Sequence, residues 1–208
     1  MRSAIRIMIP LAALYLLSIG ICAERQGREG GQYGYDGKWW LSISGREQDG
    51  FVSGYYDCYT YEYKGPDRYT TKSFIEYRRL ITEYYRNEPS KQTLPVPEAI
   101  HQLRDRPGEK PAAGETTSGR HGYFDGLYWK QISALGGTEK EVGFVEGYLA
   151  CHAQLGHNRG GAFSKAPAEY AALITQWYGL QEDGDINEKR EAVKVADVLF
   201  KFRDAAEE

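Results

Sequence analysis

Gly50-Phe51-Val52-Ser53-Gly54-Tyr55-Tyr56-Asp57-Cys58 returns 93 residues later as Gly143-Phe144-Val145-Glu146-Gly147-Tyr148-Leu149-Ala150-Cys151. The same offset sets Glu76-Tyr77-Arg78-Arg79-Leu80-Ile81-Thr82-Glu83-Tyr84-Tyr85 against Glu169-Tyr170-Ala171-Ala172-Leu173-Ile174-Thr175-Gln176-Trp177-Tyr178. Residues 50–85 and 143–178 share 13 identities in 36 positions. Carried on without a gap, the offset pairs Glu98-Ala99-Ile100 with Glu191-Ala192-Val193. Upstream it falls to 89, with Tyr35-Asp36-Gly37-Lys38-Trp39-Trp40 facing Phe124-Asp125-Gly126-Leu127-Tyr128-Trp129. The second copy therefore holds four extra residues (93 − 89) around Gly136-Gly137. A period of this length is the mark of a duplicated supersecondary unit.

Each unit reads as helical. Asp36 and Asp125 suit the N-caps of short aromatic-rich helices. Ser44-Gly45-Arg46-Glu47, Thr138-Glu139-Lys140-Glu141 and Ser73-Phe74-Ile75-Glu76 match capping boxes. In the long second helix the apolar stripe is Phe51, Tyr55, Cys58 and Tyr59, and it stops at the charged Glu62. The second copy gives Phe144, Tyr148, Cys151 and Leu155. Tyr77, Leu80, Ile81, Tyr84 and Tyr85, like Tyr170, Leu173, Ile174, Trp177 and Tyr178, recur at the helical period. A fourth helix starts near Pro97, and its counterpart runs from about Asn187 to Arg203. The expected fold is all-α, with two tandem copies of a three- to four-helix unit packed with pseudo-two-fold symmetry.

The N-terminus carries a different signal. Arg2 and Arg6 precede an uncharged run from Ile7 to Ile21, and Ala23 is a small residue before Glu24. That is the layout of a secretory signal peptide over residues 1–23, and it predicts export to the periplasm or the medium. Residues 24–34 form a flexible segment, 35–103 the first repeat, 104–122 a Pro- and Gly-bearing linker, and 123–204 the second repeat. Cleavage would remove two of 26 basic and none of 29 acidic residues, leaving a net charge of 24 − 29 = −5. A mildly acidic chain without a basic run argues against nucleic acid. No later segment is apolar and long enough for stable membrane insertion.

Cys22 leaves with the signal, and an even pair, Cys58 and Cys151, enters an oxidising compartment, where a disulfide is favoured. Equivalent residues bond to each other only beside a two-fold axis. Gly50 and Gly54, with Gly143 and Gly147, mark helix positions that another backbone approaches closely. That backbone is either within each unit or in the opposite unit. Trp39, Trp40, Tyr128 and Trp129 cluster after the Asp-Gly turns, and any exposed subset suits stacking on sugars or a protein partner. Thr82 and Thr175 match yet lie off the apolar stripe, so they face another helix or line a surface site.

No catalytic constellation emerges. His101, His121, His152 and His157 do not share a helical face, so neither metal nor other cofactor is expected. Asp36, Asp125, Glu76 and Glu169 fall at helix starts, where capping explains them. The aromatic-Val-x-Gly-Tyr segment Phe51–Tyr55, followed by Cys58, the Tyr77–Tyr85 helix and Glu98-Ala99-Ile100, resembles the small all-helical periplasmic immunity proteins that neutralise type VI secretion amidase toxins. Those proteins look like single units, whereas this chain carries two. The resemblance implies a helical fold, an exported location and a toxin-binding role. The leading expectation is thus a non-enzymatic exported protein that binds another protein. The alternatives are a glycan- or cell-wall-directed enzyme or binder using a cleft between the repeats, and a structural envelope protein.

Overall fold

Asp36 accepts the Trp39 N–H on Oδ1 at 2.8 Å and so opens α1, Gly37–Ser42. Extended backbone at Ile43 ends α1, and Ser44 accepts the Glu47 N–H to start α2, Gly45–Glu62. Ser73 caps α3, Phe74–Asn87, in the same way through Glu76 N–H. A 3-10 turn, Pro89–Thr93, leads into α4, Val96–Leu103. In the second half Asp125 caps α5, Gly126–Gln154, through Tyr128 N–H at 2.9 Å. Pro167 begins α6, Pro167–Tyr178, where the Glu169 carboxylate accepts the Ala166 N–H. The last helix is α7, Val195–Lys201. This computed structural model describes residues 34–62, 72–104, 124–156, 163–180 and 189–204. The expected signal peptide, the expected flexible segment 24–34 except Gly34, and the expected linker except Arg104 lie outside the described residues. Among the described residues there is no strand, only the isolated bridges Asp36–Pro95 and Asp125–Lys194. No helix among them is long and apolar enough to cross a membrane.

The most extensive helix contact joins α2 to α5. Its spacing is set by the four repeated glycines, and the approach is from the opposite half. A methyl group on Gly50 would overlap the Lys140 carbonyl, and one on Gly54 the Phe144 carbonyl. Reciprocally, Gly143 faces the Glu47 carbonyl and Gly147 the Phe51 carbonyl. Cys58 and Cys151 lie one turn beyond Gly54 and Gly147, and they are disulfide-bonded with Cα atoms 6.1 Å apart. Closing a loop of this length restricts the unfolded chain by about 4–5 kcal/mol in the chain-entropy account.

Each phenylalanine of the repeated motif fills an aromatic cage in its own half. Phe51 packs on Tyr35, Trp39 and Trp40 with ring centroids 5.3, 5.3 and 6.0 Å away. Phe144 packs on Phe124, Tyr128 and Trp129 at 5.9, 5.8 and 5.7 Å. The stripes on α3 and α6 close these cores with Tyr77, Ile81 and Tyr85, and with Tyr170, Ile174 and Tyr178, all fully buried.

The final helices require a correction of register. Val96 N–H donates to the Tyr35 carbonyl at 2.6 Å, and Val195 N–H to the Phe124 carbonyl at 2.8 Å. Tyr85 and Tyr178 donate their hydroxyls to the Leu94 and Val193 carbonyls. The residues in matching positions are therefore Glu98-Ala99-Ile100 and Asp197-Val198-Leu199, an offset of 99. Glu191-Ala192-Val193 instead forms the turn before α7, which is shorter than the expected Asn187–Arg203 helix.

In an exposed helix, Gly to Ala stabilises by up to ~1 kcal/mol. Gly54→Ala and Gly147→Ala are expected to do the opposite, because the new carbon meets a backbone carbonyl that cannot rotate away. Each should destabilise by about 1–3 kcal/mol, the range for overpacking, read as a lowered urea midpoint. An unchanged or raised midpoint would show that the helices do not cross this closely.

Candidate binding site at the helix break

The four extra residues of the second half change the join between its first two helices. In the first half, α1 and α2 are separate. In the second, the chain stays helical through the equivalent region, so α5 is 29 residues long and breaks only at Gly137. There φ is 57° and ψ is −162°, a conformation that glycine alone adopts readily. Thr138, expected to cap a new helix, follows the break within α5. Just before it, Leu135 is 68% exposed.

Beside the break lies an open depression of about 460 Å³ between α5 and α6. Thr138, Glu141, Thr175 and Gln176 give it polar walls. Ala168, Ala172 and Leu180 give it apolar ones. Glu141 is only 8% exposed, and its Oε1 is where the polar groups converge. The Thr175 hydroxyl donates to it at 3.4 Å, and the Ser133 hydroxyl lies against it as well as 2.9 Å from the Trp129 carbonyl. Thr175 in turn accepts the Trp129 indole N–H at 2.9 Å. In the first half, Trp40 donates to Thr82 at 3.0 Å, and Thr82 donates to the Arg78 carbonyl. At the position matching Glu141 stands Gln48, whose amide is turned inward to the Trp40 carbonyl at 2.7 Å.

These bonds account for the matched threonines: each satisfies the N–H of a buried indole. Trp40, Tyr128 and Trp129 are buried and Trp39 is half-buried in its cage, so these rings are core and offer no open stacking face. Sequence reading took Glu141 for a capping residue. Its place opposite Gln48 in the repeat was the available signal.

A second polar cluster lies at the far ends of α2 and α5. The apolar stripe of α2 does not stop at Glu62, because Glu62 turns inward and its Oε1 lies 2.7 Å from His152 Nδ1, with both side chains nearly buried. The Tyr148 hydroxyl reaches the same oxygen at 3.5 Å, and Phe163 and Phe200 enclose the imidazole. Glu62 is one turn past Cys58, and that spacing is the signal the sequence offers for it; His152, next to Cys151, has no such spacing. Both nearby sulfurs are in the disulfide, so the pair has no thiolate to activate. Tyr61 donates to Asp197 Oδ1 at 2.6 Å, and burial followed by that bond pushes its hydroxyl up to about 12. Asp57 is 5% exposed, and no donor reaches its Oδ2. Burial pushes its carboxyl well above the usual range, against the pull of Lys194 and with the repulsion of Asp197.

The other acids considered for catalysis do not form a pair. Asp36, Asp125, Glu76 and Glu169 begin four different helices, and three of them accept capping N–H groups there. His121 and His157 lie outside the described residues, and His101 is exposed on α4. Among the described residues no three His, Cys, Asp or Glu side chains are grouped to hold a metal ion.

Asp57 sets a pH dependence. The unfolded chain releases this proton near pH 4, while the folded chain keeps it to higher pH. Stability therefore falls as pH rises through that window. Asp57→Asn is expected to match the parent protein near pH 4 and to melt at a higher temperature near pH 7. A variant less stable than the parent at both pH values would mean that the carboxylate is stabilising.

No family model, curated protein or solved structure matches the chain.

Proposed function

We propose that this chain is an exported, non-enzymatic helical protein that binds another protein. In this reading its two halves are copies of one unit, related by a pseudo-two-fold axis beside the disulfide. The observation that carries it is where the exposed features fall. Matched polar and aromatic groups are consumed by the fold, as caps, as cage walls and as partners for indole N–H groups. The unmatched insert carries an exposed Leu135, and the same half holds a depression with Glu141 among its lining residues. Protein interfaces draw their anchors from exposed apolar side chains and partly desolvated polar groups. The immunity-like role follows from the resemblance of the Phe51–Cys58, Tyr77–Tyr85 and Glu98–Ile100 segments.

A glycan-directed enzyme needs two carboxylates converging beside exposed aromatic rings. The buried tryptophans and the separately placed acids favour the binding reading over it.

The test is a tagged full-length chain expressed in its own cells and recovered from the exported fraction. The mature protein is expected to begin at Glu24 and to co-elute with one protein at a fixed ratio. Leu135→Arg should lose that protein at an unchanged melting temperature. Retention of the complex by Leu135→Arg would move the interface elsewhere, and an exported fraction with no specific partner would overturn the binding role.

A further inference from the structure

We propose that the depression beside the Gly137 break is a subsite for a lysine side chain of the protein partner. This rests on the protein-binding reading above and adds the chemistry of the contact.

Glu141 is more than nine-tenths buried, yet its carboxylate is only half used. Oε1 takes the Thr175 and Ser133 hydroxyls, whereas among the described residues no donor reaches Oε2. Nor is Oε2 sealed in the core, since it is not among the buried polar atoms lacking a partner. Glu141 is one of the residues that line the depression. No Lys or Arg forms an ion pair with Glu141 among the described residues. The nearest basic residue in sequence, Lys140, lays its side chain over Gly136, and its charge acts on Asp49. A carboxylate with one oxygen committed and the other not sealed in the core, in a residue that lines a recess, suits a cation.

The shape selects the cation. Ala168, Ala172 and Leu180 offer apolar wall to an alkyl stem, as a snorkelling side chain requires. Bidentate pairing with a guanidinium needs both carboxylate oxygens, and Oε1 is already occupied. An ammonium is a compact charge that needs only one, and its remaining protons can turn to the Gln176 and Thr138 side chains. The first half has no counterpart, because Gln48 is neutral and bonded inward.

The two indole N–H groups provide the measurement. Trp129 is linked to Glu141 through Thr175, whereas Trp40 reaches Thr82 and then a backbone carbonyl. N-acetyl-lysine methylamide, titrated into the disulfide-intact chain, is expected to shift the Trp129 indole resonance saturably and leave that of Trp40 in place. The midpoint should be on the order of 10 mM, as suits so small a ligand. The norleucine analogue should have no effect, and the arginine analogue should bind several-fold more weakly. Glu141→Gln should abolish the response. Ala172→Leu, which fills an exposed helical position with a good helix former, should weaken it several-fold without moving the unliganded spectrum. An equal response to norleucine, tighter binding of arginine, or an undiminished response in both variants would overturn the lysine subsite. So would the absence of any saturable shift. The titration contains no partner protein, so its failure is distinct from failure to recover a partner.

Discussion

The close crossing of α2 and α5 is the constraint on which the rest depends. Four glycines inside helices each give up as much as ~1 kcal/mol of helix propensity. What offsets this is distance: two backbones come together where any side chain would collide with a carbonyl. Once they do, Cys58 and Cys151 fall within bonding reach one turn further on. Phe51 and Phe144 flank the same crossing, each directed into its own aromatic cage. The outer helices need only cover those cages. The disulfide and the glycine contact therefore secure the same joint, one by limiting the unfolded chain and the other by packing in the folded one.

What could be read from sequence was whatever is local or repeated. Asp36, Ser44, Ser73 and Asp125 cap helices because a side-chain oxygen and an N–H three residues on are neighbours in any helix. The Tyr77 and Tyr170 stripes were visible because burial of one face imposes a 3.6-residue period. The cysteine pair was visible because the repeat made the two residues equivalent. The final helices were misplaced because a gapless offset was carried past Tyr178. The actual register is fixed by two long-range bonds, from Val96 and Val195, that no periodicity reveals. Glu62 was read as ending the apolar stripe for the same reason, since its partners His152 and Tyr148 lie on another helix. Stacking was expected only of an exposed subset of the aromatics after the Asp-Gly turns, and Trp39, Trp40, Tyr128 and Trp129 pack around Phe51 and Phe144 instead.

The repeat in the sequence separates two kinds of residue. Positions alike in both halves are held by demands that both halves share, and here those are caps, cages and the crossing. Positions that differ are free of those demands. They are not scattered: Asp57 stands opposite Ala150, Glu62 opposite Leu155, His152 opposite Tyr59, and Glu141 opposite Gln48. Charge has entered one side of the molecule at sites that are apolar or neutral on the other.

Those charged differences are not equivalent as signals to a partner. Glu62 and His152 satisfy each other behind aromatic rings, and a partner at the surface would meet little of their field. Asp57 is buried and held toward its neutral form. A charge that is both desolvated enough to interact strongly and open enough to be touched must sit at a boundary, and Glu141, nearly buried yet lining the depression between α5 and α6, does. The positive φ of Gly137 and the exposed Leu135 belong to the same four-residue departure from the repeat. A sequence change too small to disturb the crossing thus adds an exposed apolar side chain to the half that also carries the half-satisfied Glu141 carboxylate.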